Sequence, residues 1–344
     1  MRRLARSTAR LLAAIAGATG TLLLAADPSP RLGPVTSLWL ENDLFVRTDQ
    51  HYTHGTRIAH TGAERDASEP ARGLGRIAAW LPSLGNHAVA WRPALSLTQN
   101  IYTPEDTSRP DLIPEERPYA GWLYLTGSML RRGASSGGVP MLDAWSAHVG
   151  VVGPASLAEQ SQNTVHRIRA LRLAQGWEHQ LRNEPDVGVR YARALRYAAP
   201  VRGEWSAEFI PHVGLVVGTA QSFASAGGQW RVGLRLPNDF GWRSIDDVIP
   251  ASGGRPTSGP VTWGLHGFLG GDARVFGHNV LIQGNLFRDS HSVPLQRVMG
   301  EVKAGLVYSG RRIDVAYTHQ VRTAEFEGQG DVDSFGSVSV AFKW

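Results

Sequence analysis

Three short clusters hold the side chains in this 344-residue sequence that could do chemistry: Glu41-Asn42-Asp43, Tyr52-Thr53-His54-Gly55 and Gln162-Asn163-Thr164-Val165-His166. Together a carboxylate, two carboxamides, a hydroxyl and an imidazole can bind a hard cation and activate water. Asp43 offers a ligand to calcium, Asn42 an amide N–H to a developing oxyanion, and His166 a general base, since imidazole ordinarily changes charge near neutral pH. Gln162 could orient that imidazole or polarise a carbonyl. The same residues have plain structural uses: Asn-Asp starts turns, Thr53 favours a strand, and Gln162 with His166 suits a solvated helix face. The choice depends on whether the fold brings the clusters together.

Several features limit that fold. Residues 1–26 read as a secretory signal, with Arg2, Arg3, Arg6 and Arg10 ahead of an apolar run from Leu11 to Leu24. Those four arginines, unopposed by any acid in the segment, account for most of the formal net charge of +5, so residues 27–344 are nearly neutral. Charge therefore gives no argument for a nucleic-acid partner. The sequence has no cysteine, 39 glycines and 11 tryptophans, and beyond the signal no apolar run reaches the ~20 residues of a membrane helix. Helical spanning is excluded; spanning by strands is not.

Strand periodicity is regular. At the C-terminus Val338, Val340, Phe342 and Trp344 alternate with Ser337, Ser339, Ala341 and Lys343. Val302, Ala304, Leu306 and Tyr308 oppose Glu301, Lys303 and Gly305, and Ile313, Val315 and Tyr317 oppose Asp314, Ala316 and Thr318. Charges on one phase suit a polar lumen and apolar residues on the other suit lipid; a soluble sandwich would alternate in the same way, and the signal together with the terminal Trp344 favours the barrel. Thirteen candidate segments reduce to about twelve strands, because bacterial barrels close with an even number; the surplus one lies between 229 and 288 as a bulge or continuation. The predicted architecture is all-β: a transmembrane antiparallel barrel of about 12 strands over 27–344. Short periplasmic turns and long outer loops (63–88, 103–118, 238–260, 323–334) are expected. One outer connection is helical, since Ser156 and Glu159 match a Ser-x-x-Glu capping box and Gln162 and His166 then share a face, with the helix ending near Gly176-Trp177.

Taken together, Glu41-Asn42-Asp43, Tyr52-Thr53-His54-Gly55, Gln99-Asn100-Ile101-Tyr102-Thr103-Pro104, Arg117-Pro118-Tyr119-Ala120-Gly121-Trp122, Gln162 to Arg167 and Gly176-Trp177-Glu178-His179-Gln180 resemble the outer-membrane lipid A 3'-O-deacylase family. The resemblance implies a twelve-stranded barrel in the Gram-negative outer membrane, inserted by the barrel-assembly machinery, that hydrolyses the 3'-acyloxyacyl ester of lipid A in lipopolysaccharide with calcium as cofactor. It implies catalytic roles for Asn42, Thr53, Gln162 and His166, with Asp43 at the metal. One position departs: where the family carries a functional lysine, this chain has Ser108 and Arg109, with Arg117 further on. Arg109 and Arg117 are the candidates to bind lipid A phosphate.

Two other readings stand beside this one. Ser146 and His148, two apart on one strand face, would make a phospholipase-type site, although in the order opposite to the usual His-x-Ser. A structural barrel or small pore would need none of the polar clusters.

Overall fold

The structure, a computed structural model, describes residues 31–43, 51–68, 73–241, 244–248, 253–254, 263–330 and 332–344. The signal expected over 1–26 lies outside the described residues. Twelve antiparallel strands form a closed wall: β1 (Val35–Asn42), β2 (His51–Thr61), β4 (His87–Thr103), β5 (Ala120–Ala134), β6 (Pro140–Val152), β7 (Glu184–Leu195), β9 (Trp205–Gly218), β10 (Gln221–Leu234), β11 (Gly264–Asn279), β12 (Val298–Ser309), β13 (Ile313–Arg322) and β14 (Asp333–Lys343). Each pairs with the next, and β14 returns to β1 with Leu38 opposite Val340. Two further strands are appendages: β3 (Arg65–Asp66) lies on β4, and β8 (Tyr197–Arg202) carries the line of β7 onward along β9. Closure follows from the solvent, because lipid offers no partner to an unpaired strand edge.

The extra candidate strand is resolved as a continuation. β11 runs unbroken to Asn279, and the chain then turns into helix α3 (Val280–Gln283), whose Leu281 N–H donates to the Asn279 side chain at 3.1 Å. β10 starts eight residues before the predicted 229 because Gln221 to Gly228, rich in Gly, Ala and Ser, has almost no apolar contrast to read. Elsewhere the predicted phase holds: Val302, Leu306, Val315, Tyr317, Phe342 and Trp344 are exposed on the outer wall, while Glu301, Lys303, Asp314, Ser337 and Ser339 are buried inside.

The expected asymmetry of the rims is not observed. Long connections between β2 and β4 and between β10 and β11 lie at the rim that carries the chain ends, and those between β4 and β5 and between β13 and β14 lie at the opposite rim. The physical reason is a lumen filled from both ends. From the chain-end rim, residues 237–241 and 244–248 reach inward, burying Phe240 and Ile245. Asp246 accepts from Arg322 at 3.0 Å and Asp247 from the Lys303 ammonium at 2.6 Å. At the opposite rim α3 and the segment after it bury Ile282, Val293 and Leu295 against Phe326. Lys303 also lies 3.1 Å from Glu301 and 3.6 Å from Asp272, so one ammonium serves three carboxylates. These charges are tolerable without water only because each is met by an opposite one.

Replacing Lys303 by Met leaves those carboxylates without their shared counter-ion, which costs roughly 3–5 kcal/mol for a broken buried pair. Thermal unfolding in detergent should show a clearly lowered transition; an unchanged transition would mean that the lumen network contributes nothing to stability.

Candidate active site on the outer wall

Alternation splits the first cluster. Glu41 faces the lumen and is almost fully buried, accepting from the Tyr52 hydroxyl at 3.0 Å and from Ile245 N at 2.9 Å. Asn42 takes the outward phase of Leu38 and Leu40, and its amide donates to Thr53 O at 2.8 Å and faces His54 Nδ1 at 3.4 Å. Asp43 is buried just past the strand end. A bulge in the β2–β4 register between Tyr52 and His54 leaves Thr53 as the extra residue, and its hydroxyl meets that of Thr103 at 2.7 Å. The bulge is what lets Tyr52 face inward and His54 outward although an odd residue lies between them.

Register then defines an outward row at this rim: Asn42 opposite His54, His54 opposite Ile101, and Ile101 opposite Gly121. Over its far end lies helix α2 (Ala158–Ile168), outside the barrel. Gln99 donates to Ser156 O at 2.6 Å, and Ile101 and Tyr119 pack with Ala158, Ala174 and Trp177. At Gly121 a Cβ would come within 2.0 Å of Ser156 Oγ and 2.3 Å of the Ala158 Cβ, so only glycine allows the helix to lie this close. The buried residues of α2 are Ala158, Gln162 and His166, spaced i, i+4, i+8, which is one face turned to the wall.

The helix ends are made differently from the prediction. Ser156 does not cap; its hydroxyl donates back to Gly153 O at 2.6 Å, and Leu157, at φ 60°, takes the capping position with no side-chain bond. The helix stops at Ile168, well before Gly176, because Ala170 enters the left-handed region at φ 54°. Ala170 N then donates to Arg167 O and Leu171 N to His166 O at 2.8 Å, the two bonds of a Schellman turn. This reversal places Arg172 O 2.6 Å from His166 Nδ1. A carbonyl only accepts, so Nδ1 carries the proton and Nε2 presents a lone pair.

Gln162 is fixed by the same logic. Trp177 Nε1, which can only donate, lies 2.8 Å from Gln162 Oε1 and so sets the amide orientation. Gln162 Nε2 is left buried with no hydrogen-bond partner among the described residues. An unsatisfied buried donor costs roughly 1–3 kcal/mol, which is a reason to expect an acceptor from outside the protein. Trp177 packs at a tilt against Tyr119, with ring centroids 5.0 Å apart, and the Gly176 before it could not carry a Cβ, which would lie 2.5 Å from that ring.

The other predicted residues separate. Arg109 is exposed on the connection after β4. That loop is tied to the segment after α2 by Gln175 N donating to Thr107 O. Neighbouring Asp106 is held below the usual carboxylate range by the Ser108 hydroxyl and N–H, with Arg109 and Arg172 adding to the effect. Arg117 does not reach this site. Its side chain is fully buried, 2.8 Å from Glu325 and stacked over Tyr102, and serves as an internal strut. Ser146 and His148 face the lumen with separate partners, Ser128 Oγ at 2.8 Å and Asp186 at 3.1 Å, so the phospholipase-type pair does not form. The carboxylates of Asp247, Asp272 and Glu301 lie close enough to hold a metal, but the Lys303 ammonium already occupies their centre. Sequence reading gave no role to His54, Trp177 or the Arg172 carbonyl, although the first two lie in motifs it named. Of these only His54 had a signal, its outward phase opposite Asn42.

A closed barrel with a filled lumen, an apolar outer wall and a candidate polar site under a helix on that wall defines an integral outer-membrane protein. The chain belongs to the outer membrane protein LpxR family, whose model matches residues 10–344. LpxR from Salmonella typhimurium shares the fold with a TM-score of 0.70 at 18% identity, over 90% of this chain and 100% of that one. The β domain of the Bordetella autotransporter BrkA (TM-score 0.46, 11% identity, 91% and 100% covered) is a looser match that carries no argument. The same holds for the NanC porin (0.37, 7%, 90% and 100%). No curated protein sequence matches the chain.

Changing Gly121 to Ala should push α2 off the wall and cost roughly 1–3 kcal/mol of overpacking. The expected result is a barrel that still folds but is less stable and has lost most of its hydrolytic activity. Full activity would show that the seam between helix and wall is not the site.

Proposed function

We propose that the protein is a lipid A 3'-O-deacylase, hydrolysing the ester of the 3'-acyloxyacyl chain of lipopolysaccharide at the outer leaflet. Family membership supports an outer-membrane lipid A deacylase. The observation that carries the finer reading is the placement of His166 and Gln162: both are buried on the wall side of α2, at the edge of the lipid-facing surface, where an acyl ester in the bilayer has access and the filled lumen has none.

In this mechanism His166 Nε2 takes a proton from water, with the Arg172 carbonyl holding the ring in the required tautomer. The water oxygen attacks the ester carbonyl, and as the tetrahedral intermediate breaks its ester C–O bond the proton passes from His166 to the departing alkoxide oxygen, so no acyl-enzyme forms. Gln162 Nε2 donates to the oxyanion. Asn42, predicted in that role, has its amide on Thr53 O and beside His54, so it acts first in shaping the rim. The oxygen donors there, the Asp43 carboxylate and the Thr53 and Thr103 hydroxyls, are of the hard type that calcium takes, and Asp43 would hold the ion. When bound, calcium would supply positive charge to the carbonyl oxygen. Exposed Arg109 is the remaining candidate for lipid A phosphate.

Mass spectrometry of lipid A incubated with purified protein, with calcium and then with a chelator, tests this reading. The wild-type protein should release the 3' acyloxyacyl chain only with calcium. His166→Ala should lower the rate by about 10²–10⁴-fold and Gln162→Ala by about 10²–10³-fold, with Ser146→Ala near wild type. Hydrolysis that survives loss of His166 but not of Ser146 would refute the assignment.

A further inference from the structure

Helix α1 (Leu74–Trp80), in the connection between β2 and β4 at the chain-end rim, also lies outside the barrel. Its inner stripe is Gly75 and Ala78, packed on Trp91 and Met129, which are outward residues of β4 and β5. A Cβ on Gly75 would lie 3.1 Å from the Trp91 ring, so the approach is close. Arg131, on the same outer face, donates to Leu81 O at 2.9 Å and to Ala78 O and Pro82 O, satisfying carbonyls that the helix end leaves over. The helix is thus fastened to the wall, with its polar end groups met by protein.

A second stripe at helical spacing, Leu74, Ile77 and Trp80, faces away from the protein, and Trp80 is 82% exposed. Leu84 and Val89 continue it, and along β4 the same surface runs on to exposed Leu95 and Leu97 and to Leu125 of β5. This stripe is continuous with the apolar belt that the barrel presents to lipid. Along β4, α1 covers Trp91 and α2 covers Ile101, ten residues on. Ten residues at ~3.3 Å each, tilted by about 40°, span about 25 Å, the height of an outer-membrane barrel's apolar band. The two helices therefore sit at opposite edges of that band.

We propose that α1 lies in the membrane interface at the chain-end rim, with Leu74, Ile77 and Trp80 immersed among phospholipid acyl chains and Arg76 toward the headgroups and water. The short amphipathic helix and its exposed tryptophan suit such a boundary. Immersion at this edge fixes the depth of the barrel, and with it the depth at which the α2 seam opens at the other edge.

The absence of cysteine makes the test direct. Ile77→Cys, Trp80→Cys and Arg76→Cys each carry one spin label on the full chain in phospholipid vesicles, with folding checked by heat-modifiable migration on gels. Labels at 77 and 80 should collide with oxygen several-fold more often than with a water-soluble nickel chelate, and the label at 76 should show the reverse. Equal nickel access at all three sites would place α1 in water and overturn the proposal. Labels at 77 and 80 shielded from both reagents would mean a protein partner covers the stripe, which overturns it equally. Deacylase activity does not enter the readout, so this result and the functional assignment stand or fall separately.

Discussion

In lipid every backbone polar group must find its partner within the protein, and a closed antiparallel wall is the strand solution to that requirement. Such a wall has two faces, and consecutive residues take opposite ones. Everything else in this molecule depends on that alternation. It sends Glu41 inward and Asn42 outward from adjacent positions, and the Thr53 bulge resets the phase of β2 so that Tyr52 joins Glu41 while His54 joins Asn42. The lumen face becomes a core of paired charges, and the outer face is free to carry a site.

The two faces also divide the energetic work. Inside, Lys303 among three carboxylates and Arg322 between Glu301 and Asp246 hold the inserted residues 244–248, of which Ile245 N in turn donates to Glu41 behind the outer site. Outside, the constraints are close contact and single hydrogen bonds: Gly121 beneath Ala158, Trp177 on Gln162, the Arg172 carbonyl on His166. The result is an imidazole and a carboxamide held in fixed orientations, as the proposed mechanism requires.

Much of the barrel was legible because a two-residue period shows plainly wherever apolar residues face lipid, as from Val338 to Trp344. It faded where both faces are small, and so β10 began unseen among Gly, Ala and Ser. The helix carrying Gln162 and His166 was legible, but its ends were not. Ser156 bonded to Gly153 rather than capping, and a left-handed Ala170 ended the helix where no glycine marked a stop. Arg117 misled for a related reason. A charge in a barrel strand or rim loop signals either a ligand or an ion pair across the lumen, and its partner Glu325 lies more than two hundred residues away. Local pattern gives the face of a residue; only closure of the barrel gives its partner.

The central claim is that chemistry occurs on the lipid-facing wall, and the most direct measurement uses lipid A with a photoreactive group on its 3' acyl chain. Irradiation in the outer-membrane bilayer, followed by peptide mass mapping, reports which face the chain touches. The account predicts adducts on α2 and on outward residues near it, such as Ile58 and Leu97. Adducts on lumen residues such as Ser146, His148 or Gln320, with the outer wall unlabelled, would contradict it.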